Sequence, residues 1–78
     1  MTLIEAVATR LEEIMKEKDV TQYRLFILSG VPQSTISYIR RKRSETVNLS
    51  VIYELMDGLE LDLNYFFDSP LFKRGNLE

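Results

Sequence analysis

The stretch from Thr21 to Arg43 reads TQYRLFILSGVPQSTISYIRRKR, and it decides the fold. It contains two short helical patterns separated by Ser29-Gly30-Val31-Pro32. Glycine suits the left-handed conformation at a helix C-terminus, and proline fixes φ at the start of the next helix. We therefore predict one helix from Gln22 to about Ser29, a tight turn, and another helix from Gln33 to about Arg41.

This stretch carries a strong local positive charge within an acidic chain. Five of the ten basic residues and none of the twelve acidic ones lie between Thr21 and Arg43, so its charge is +5 and that of the remainder is −7. The net charge of −2 therefore does not exclude a polyanionic partner, because such a partner responds to the local field. A solvated basic loop is the alternative explanation for the charge run taken alone.

Apolar residues recur at helical spacing on both sides of this stretch. Thr2 and Glu5 fit a capping box, and the helix that follows ends near Lys18-Asp19. Asn48 and Asp62 can cap a fourth helix and a short fifth one. The spacing places these residues on buried faces: Ile4, Val7, Ala8, Leu11, Ile14 and Met15; Leu25 and Leu28 with Phe26 or Ile27 beside them; Ile36 and Ile39; Leu49, Ile52, Tyr53, Met56 and Leu59; and Leu63 and Phe66 with Phe67 beside them.

Five predicted helices without a convincing strand indicate an all-α fold. We predict a compact five-helix orthogonal bundle in which helices 2 and 3 form a helix-turn-helix. Residues 1–68 make one domain, and residues 69–78 form a C-terminal tail that is mobile or contacts a partner. The apolar pair Leu71-Phe72 either docks a partner or folds back onto the first or fifth helix, and we expect residues 73–78 to be mobile.

The composition argues against several classes of function. The chain has no cysteine and no histidine, so the usual zinc ligands, disulfides and acid-base or nucleophile pairings are missing. We predict no metal, no cofactor and no enzymatic activity. Residues 2–18 carry charges throughout, unlike a secretory signal, and the longest uncharged stretch, residues 25–39, is broken by glycine and proline. We expect a soluble, cytoplasmic protein without a membrane partner.

The third predicted helix has two chemically different faces. Its inward residues are Ile36 and Ile39, while its outward residues are Gln33, Ser34, Thr35, Ser37, Tyr38 and Arg41, which all form hydrogen bonds and include no acid. Such side chains can contact base edges and phosphates of DNA. Gln22 at the preceding helix N-terminus suits a phosphate oxygen. Arg40, Arg41, Lys42 and Arg43 would add salt-sensitive affinity. The alternatives are a solvated Gln22 and a surface aromatic at Tyr38.

From about Leu11 to Phe67 the chain resembles the lambda-repressor/Cro-like (XRE-type) helix-turn-helix family. The resemblance rests on Thr21-Gln22, Leu25, Ser29-Gly30-Val31, Gln33 to Ser37 and Ile39, followed by Leu49, Ile52, Leu55-Met56, Leu59, Leu61, Leu63 and Phe66-Phe67. It implies a turn glycine at Gly30, buried recognition-helix residues at Ile36 and Ile39, and a phosphate-contacting glutamine at Gln22. It also implies base contacts from Gln33, Ser34, Ser37 and Tyr38.

Several residues depart from the family pattern. Phe26 lies where the family usually has alanine, Pro32 replaces a serine or threonine cap, and Lys42 replaces a glycine after the recognition helix. Arg40 lies where the family often has glutamate, and Met15 lies where it often has the arginine partner. Arg40 therefore either turns toward the DNA backbone or pairs with Glu12, one turn before Met15 on the first helix.

The resemblance implies a sequence-specific transcriptional regulator that binds double-stranded DNA and represses from an operator near a promoter. One helix-turn-helix covers one half-site, so a homodimer on a pseudo-palindrome is expected. A prophage or mobile-element origin fits short regulators of this kind. The alternative is a protein-interaction module, such as the antitoxin of a toxin–antitoxin pair, because antitoxins also use this fold.

Overall fold

A computed structural model describes residues 1–42 and 46–78 of the chain. These residues form the α-helices α1 (Leu3–Lys18), α2 (Gln22–Ser29), α3 (Gln33–Arg40), α4 (Leu49–Gly58) and α5 (Leu63–Phe67), followed by 3-10 turns at Pro70–Phe72 and Arg74–Asn76. They contain no β-strand. The predicted all-α, five-helix architecture is confirmed. No helix in the described part of the chain is long and apolar enough to cross a membrane.

Local capping interactions fix the beginning of three helices. The Thr2 hydroxyl accepts a hydrogen bond from the Glu5 N–H at 3.2 Å, and the Glu5 carboxylate accepts one from the Thr2 N–H at 2.8 Å. The bond from the Thr2 N–H above all, and after it an interaction with the Thr2 side chain, lowers the pKa of Glu5, because a hydrogen bond donated to a carboxylate favours its charged form. Thr21 and Asn48 cap α2 and α4 as predicted. Asp62 is the N-cap residue of α5 as predicted, but its side chain makes no capping hydrogen bond within the described chain.

The core lies where α1 and α4 meet the helix-turn-helix. Helix α1 packs on α3 and α5, α2 packs on α3 and α4, and α4 packs on α5. The buried hydrophobic cluster consists of Val7, Leu11, Ile14, Met15, Leu25, Val31, Ile36, Ile39, Ile52, Leu55, Met56 and Phe66. The helix-turn-helix is therefore held from two sides, and α3 itself contributes only a pair of residues to the cluster.

Four residues predicted on buried faces are exposed instead: Leu28 by 39%, Leu49 by 58%, Tyr53 by 54% and Phe67 by 37%. On α4 the buried stripe runs through Ile52, Leu55 and Met56, so Leu49 and Tyr53 fall on its flank. Leu49 and Phe67 line an open groove of about 390 Å³ between the N-terminal ends of α1 and α4. Helical spacing gives the direction of a side chain, but the surrounding elements decide whether it is covered.

The end of α2 and the end of α4 approach each other closely. A Cβ atom at Gly58 would lie 2.7 Å from the Ser29 Cα atom and 2.9 Å from the Leu28 carbonyl carbon and oxygen. Real Cβ atoms do not approach backbone so closely, so α4 can dock on α2 at this distance only with glycine at this position. The Leu28 backbone makes this contact, while 39% of the residue is exposed.

Aromatic stacking ties the C-terminal segment to the bundle. The Phe72 ring lies 5.9 Å from the Phe66 ring and 5.0 Å from the Phe67 ring, measured between centroids. Phe72 therefore folds back on α5, which is the second of the two arrangements predicted for the Leu71-Phe72 pair. Beyond it, the Asn76 side chain donates to the Pro70 carbonyl at 2.6 Å. The predicted mobility of residues 73–78 stays a prediction.

An arginine on α1 holds the C-terminal end of α5. The Arg10 Nε atom donates to the Phe66 carbonyl at 2.8 Å, and its Nη2 atom donates to the Tyr65 carbonyl at 2.6 Å. Carbonyls at a helix C-terminus lack partners within the helix, and a cation also interacts favourably with the dipole there. Helix α5 has only five residues, so this contact from α1 contributes to fixing it in place.

Candidate nucleic-acid interface

The turn between α2 and α3 follows from its local sequence. Gly30 has φ of 76°, in the left-handed region, and its N–H donates to the Phe26 carbonyl at 2.9 Å. The Ser29 hydroxyl donates to the Leu25 carbonyl at 2.6 Å and accepts from the Val31 N–H at 3.1 Å. Val31 is buried, so the turn is joined to the core as well as to α2.

Two departures from the family pattern flank this turn. Pro32 occupies the N-cap of α3 and contributes no side-chain acceptor, because its ring has no polar atom. Phe26, where a small residue is usual, is half-buried against the core, and its ring lies 6.1 Å from the Tyr23 ring. The ring is therefore accommodated at the margin of the core, and Leu25 is the residue of α2 that is fully buried.

Helix α3 presents one apolar face and one polar face. Ile36 and Ile39 are buried. The predicted contact residues Gln33, Ser34 and Tyr38 are exposed, whereas Thr35 and Ser37 are half-buried. Tyr38 exposes 52% of its surface. The structure thus brings these five uncharged side chains together on the outer side of one eight-residue helix.

The basic segment after α3 continues from this polar face. Arg41 is exposed, and its guanidinium carbon lies 5.9 Å from the centre of the Tyr38 ring. Lys42 is exposed and has φ of 57°, the left-handed conformation in which glycine is strain-free. Lysine, where the family has a glycine, thus adopts a conformation that suits glycine. Arg43, also predicted to contact DNA, lies outside the described residues.

Arg40 differs from Arg41 because its guanidinium bonds to side chains of α1 and α2, whereas the Arg41 Nε atom donates to the Ser37 carbonyl on α3 at 3.4 Å. The Arg40 Nε and Nη2 atoms contact the Glu12 carboxylate oxygens at 2.5 and 3.3 Å. Its Nη1 atom donates to the Gln22 side-chain oxygen at 3.1 Å. Of the two alternatives for Arg40, the structure shows the pair with Glu12. A contact of Arg40 with the DNA backbone stays a prediction.

Gln22 lies between the two ends of α3. Its side-chain oxygen accepts from Arg40, and its side-chain nitrogen lies 3.4 Å from the Gln33 carbonyl, to which it donates. The residue is half-buried. It is therefore held against α3, and the predicted contact with a phosphate stays a prediction.

Residues 10–64 match the family model described as the Cro/C1-type HTH DNA-binding domain. The chain belongs to the Cro/C1-type helix-turn-helix family. The match includes all of α2, α3 and α4 and most of α1, which confirms the family resemblance predicted from the sequence. No curated protein and no solved structure matches the chain significantly.

A Cro/C1-type domain is a DNA-binding domain, so the chain is a DNA-binding transcription regulator. This family is typically not enzymatic. Within the described residues, no group of three or more carboxylate, histidine or cysteine side chains is positioned to hold a metal ion.

Sequence reasoning missed two residues that fix the packing of the helices. Gly58 supports α2 through a close backbone contact, and Arg10 caps α5 from a distance of more than fifty residues along the chain. A glycine inside an otherwise regular helical pattern was a usable signal for a close approach. An arginine on the half-buried side of α1 carried no comparable signal, because its partners are backbone carbonyls.

Proposed function

We propose that this Cro/C1-type chain is a sequence-specific repressor that occupies an operator in double-stranded DNA and contacts bases in the major groove with α3. The observation that supports this most is the polar face of α3, an acid-free set of exposed and half-buried hydrogen-bonding side chains in a member of a DNA-binding domain family. Gln33 suits the donor and acceptor edge of adenine, while serine and threonine can contact bases or phosphates.

The proposal assigns different roles to different parts of the interface. Gln33, Ser34, Ser37 and Tyr38 would distinguish operator from other DNA, and Thr35 would contact a base or a phosphate beside them. Arg41, Lys42 and Arg43 would contribute affinity that falls with salt, since each neutralised phosphate releases counterions. Gln22 would donate to a phosphate at the α2 N-terminus.

We further propose that the protein binds as a homodimer. A single recognition helix covers one half-site, and paired half-sites about 34 Å apart require two copies related by a two-fold axis. Repression would follow from occupying DNA that overlaps a promoter, and it would take place in the cytoplasm. The family resemblance also suggests a prophage or mobile-element origin, which the genes beside the coding sequence would test. The proposal includes no catalytic step.

Selection of bound duplexes from a random DNA library, at one fixed salt concentration, tests this function. We expect a pseudo-palindromic motif, and we expect this motif to lower transcription when it is placed across a promoter. Recovery of no motif would contradict the proposal. A stoichiometric complex with a co-expressed toxin, together with no motif, would support an antitoxin instead.

A further inference from the structure

We propose that Glu12, an acidic residue on α1, is a positioning residue for DNA binding because it holds Arg40, and through Arg40 it orients the side chain of Gln22. This inference rests on the proposed function, since it assigns a role to a residue behind the DNA-binding surface.

Glu12 and Arg40 form a bidentate ion pair. Both carboxylate oxygens are engaged, by Nε at 2.5 Å and by Nη2 at 3.3 Å. A bidentate arrangement fixes the plane of a guanidinium, which a single contact does not. The pair joins α1 to the last residue of α3 and is partly accessible, with 32% of the Arg40 side chain and 48% of the Glu12 side chain exposed.

Arg40 also orients the side-chain amide of Gln22. The third nitrogen of Arg40, Nη1, lies 3.1 Å from the Gln22 oxygen. A guanidinium only donates hydrogen bonds, so the amide group must face it with oxygen and not with nitrogen. The amide nitrogen is thereby turned toward the first residue of α3, where it lies 3.4 Å from the Gln33 carbonyl.

This orientation of the Gln22 amide suits the phosphate contact proposed for it. An amide nitrogen carries two donor hydrogens, so one can contact Gln33 while the other remains for a phosphate oxygen. If the amide rotated by half a turn, it would present an oxygen to the phosphate, and two acceptors repel each other. Glu12 and Arg40 therefore keep the donor end of Gln22 directed toward the start of α3.

Charge alone predicts that Glu12 weakens DNA binding, whereas the positioning role predicts that it strengthens DNA binding. Removing a negative charge from a protein that binds a polyanion should strengthen binding. The positioning role predicts that Glu12→Ala weakens binding to the selected operator by about fivefold, the value of one lost neutral hydrogen bond. Glu17→Ala is a matched control, because Glu17 lies on the same helix, is also 48% exposed and contacts Lys18. We expect it to leave operator affinity unchanged or slightly higher.

A double-mutant cycle separates positioning from general damage. Operator dissociation constants are measured at one salt concentration for the wild type, Glu12→Ala, Gln22→Ala and the double variant. We expect the double variant to bind no more weakly than Gln22→Ala, because Glu12 acts through Gln22. A structural role independent of Gln22 would instead multiply the two losses. NMR relaxation of the Gln22 side-chain NH₂ in the free protein should also show greater motion in Glu12→Ala.

The possible results separate this inference from the proposed function. If the wild type selects no DNA motif, the proposed function fails and the inference fails with it. If the wild type binds its motif but Glu12→Ala binds equally well or more tightly, the inference alone is overturned. Multiplying losses in the double variant would overturn it in the same way.

Discussion

The inward and outward faces of α3 are built from different side chains and have different tasks. Inward, Ile36 and Ile39 are buried in the core between α1 and α2. Outward, Gln33, Ser34 and Tyr38 are exposed and uncharged. A helix of eight residues is not stable alone, so the inward contacts must hold it in place. Stability and DNA recognition should therefore be separable by mutation, with one face controlling each.

The boundary between the faces falls between two adjacent arginines. Arg40 is bonded to Glu12 and Gln22, whereas Arg41 extends beside the Tyr38 ring. The same residue type thus bonds α3 to α1 and α2 at position 40 and is exposed to solvent at position 41. In the sequence, the two belong to a single basic run.

Ile36→Ala should cause the largest loss of stability. It removes a fully buried side chain from the centre of the cluster, and such a truncation costs about 2–5 kcal/mol. Urea denaturation measures the free energy of unfolding. Tyr38→Ala on the opposite face is the control and should change it by less than about 0.5 kcal/mol. Equal losses from both substitutions would contradict the division between the faces.

Gly58→Ala tests the contact of α4 with α2, which supports the helix-turn-helix, and it leaves α3 unchanged. The added Cβ atom would lie 2.7 Å from the Ser29 Cα atom, so α2 or α4 must shift, at a cost of about 1–3 kcal/mol. Gly75→Ala is the matched control, because no described atom beyond its neighbours lies within 4 Å of the new Cβ position. Thermal unfolding should distinguish the two, and an unchanged midpoint for Gly58→Ala would refute the close contact.

Arg40→Ala and Arg41→Ala compare the two arginines directly. Arg41→Ala should reduce the slope of log K against log salt by about 0.9, the value for one lost phosphate contact. Arg40→Ala should weaken operator binding but leave the slope unchanged, because it acts through the uncharged Gln22 side chain. Fluorescence anisotropy titrations at four salt concentrations give both slopes. A reduced slope for Arg40→Ala would show that Arg40 leaves Glu12 for a phosphate.

Lys42→Gly should separate affinity from stability at the end of α3. Lys42 has φ of 57°, and glycine adopts this conformation without the strain of a side chain. The free energy of unfolding should therefore rise by up to about 1 kcal/mol, while the salt slope of DNA binding falls by about 0.9. Lys42→Ala is the control, since it removes the charge and keeps the strain. A loss of stability in the glycine variant would contradict the claim that the left-handed conformation of Lys42 is strained.

The local parts of the fold could be predicted from the sequence. Thr2, Thr21, Asn48 and Gly30 act through hydrogen bonds within four residues along the chain, and the helix boundaries that they predict agree closely with the structure. Phe26 stands where the family usually has alanine, and only the structure shows that its ring lies at the margin of the core.

Burial and long-range partners were harder to predict. Leu28, Leu49 and Tyr53 are exposed although their spacing fits a buried face, because coverage depends on neighbouring elements. The sequence left Arg40 with two equal choices, since a long side chain reaches in either direction and only the position of α1 relative to α3 decides. The contacts of the interface with bases remain predictions from the family and the chemistry of α3.

The most direct test of the central claim compares the motifs that wild type and Gln33→Ala select from one random DNA library. Because Gln33 is exposed at the start of α3, we expect both proteins to bind with paired half-sites. The variant should lose its base preference at one position in each half-site. There the wild type should favour the original base pair over others by about 1–3 kcal/mol, and the variant should not. An unchanged motif would contradict base contact by Gln33, and failure of the wild type to select any motif would contradict the account as a whole.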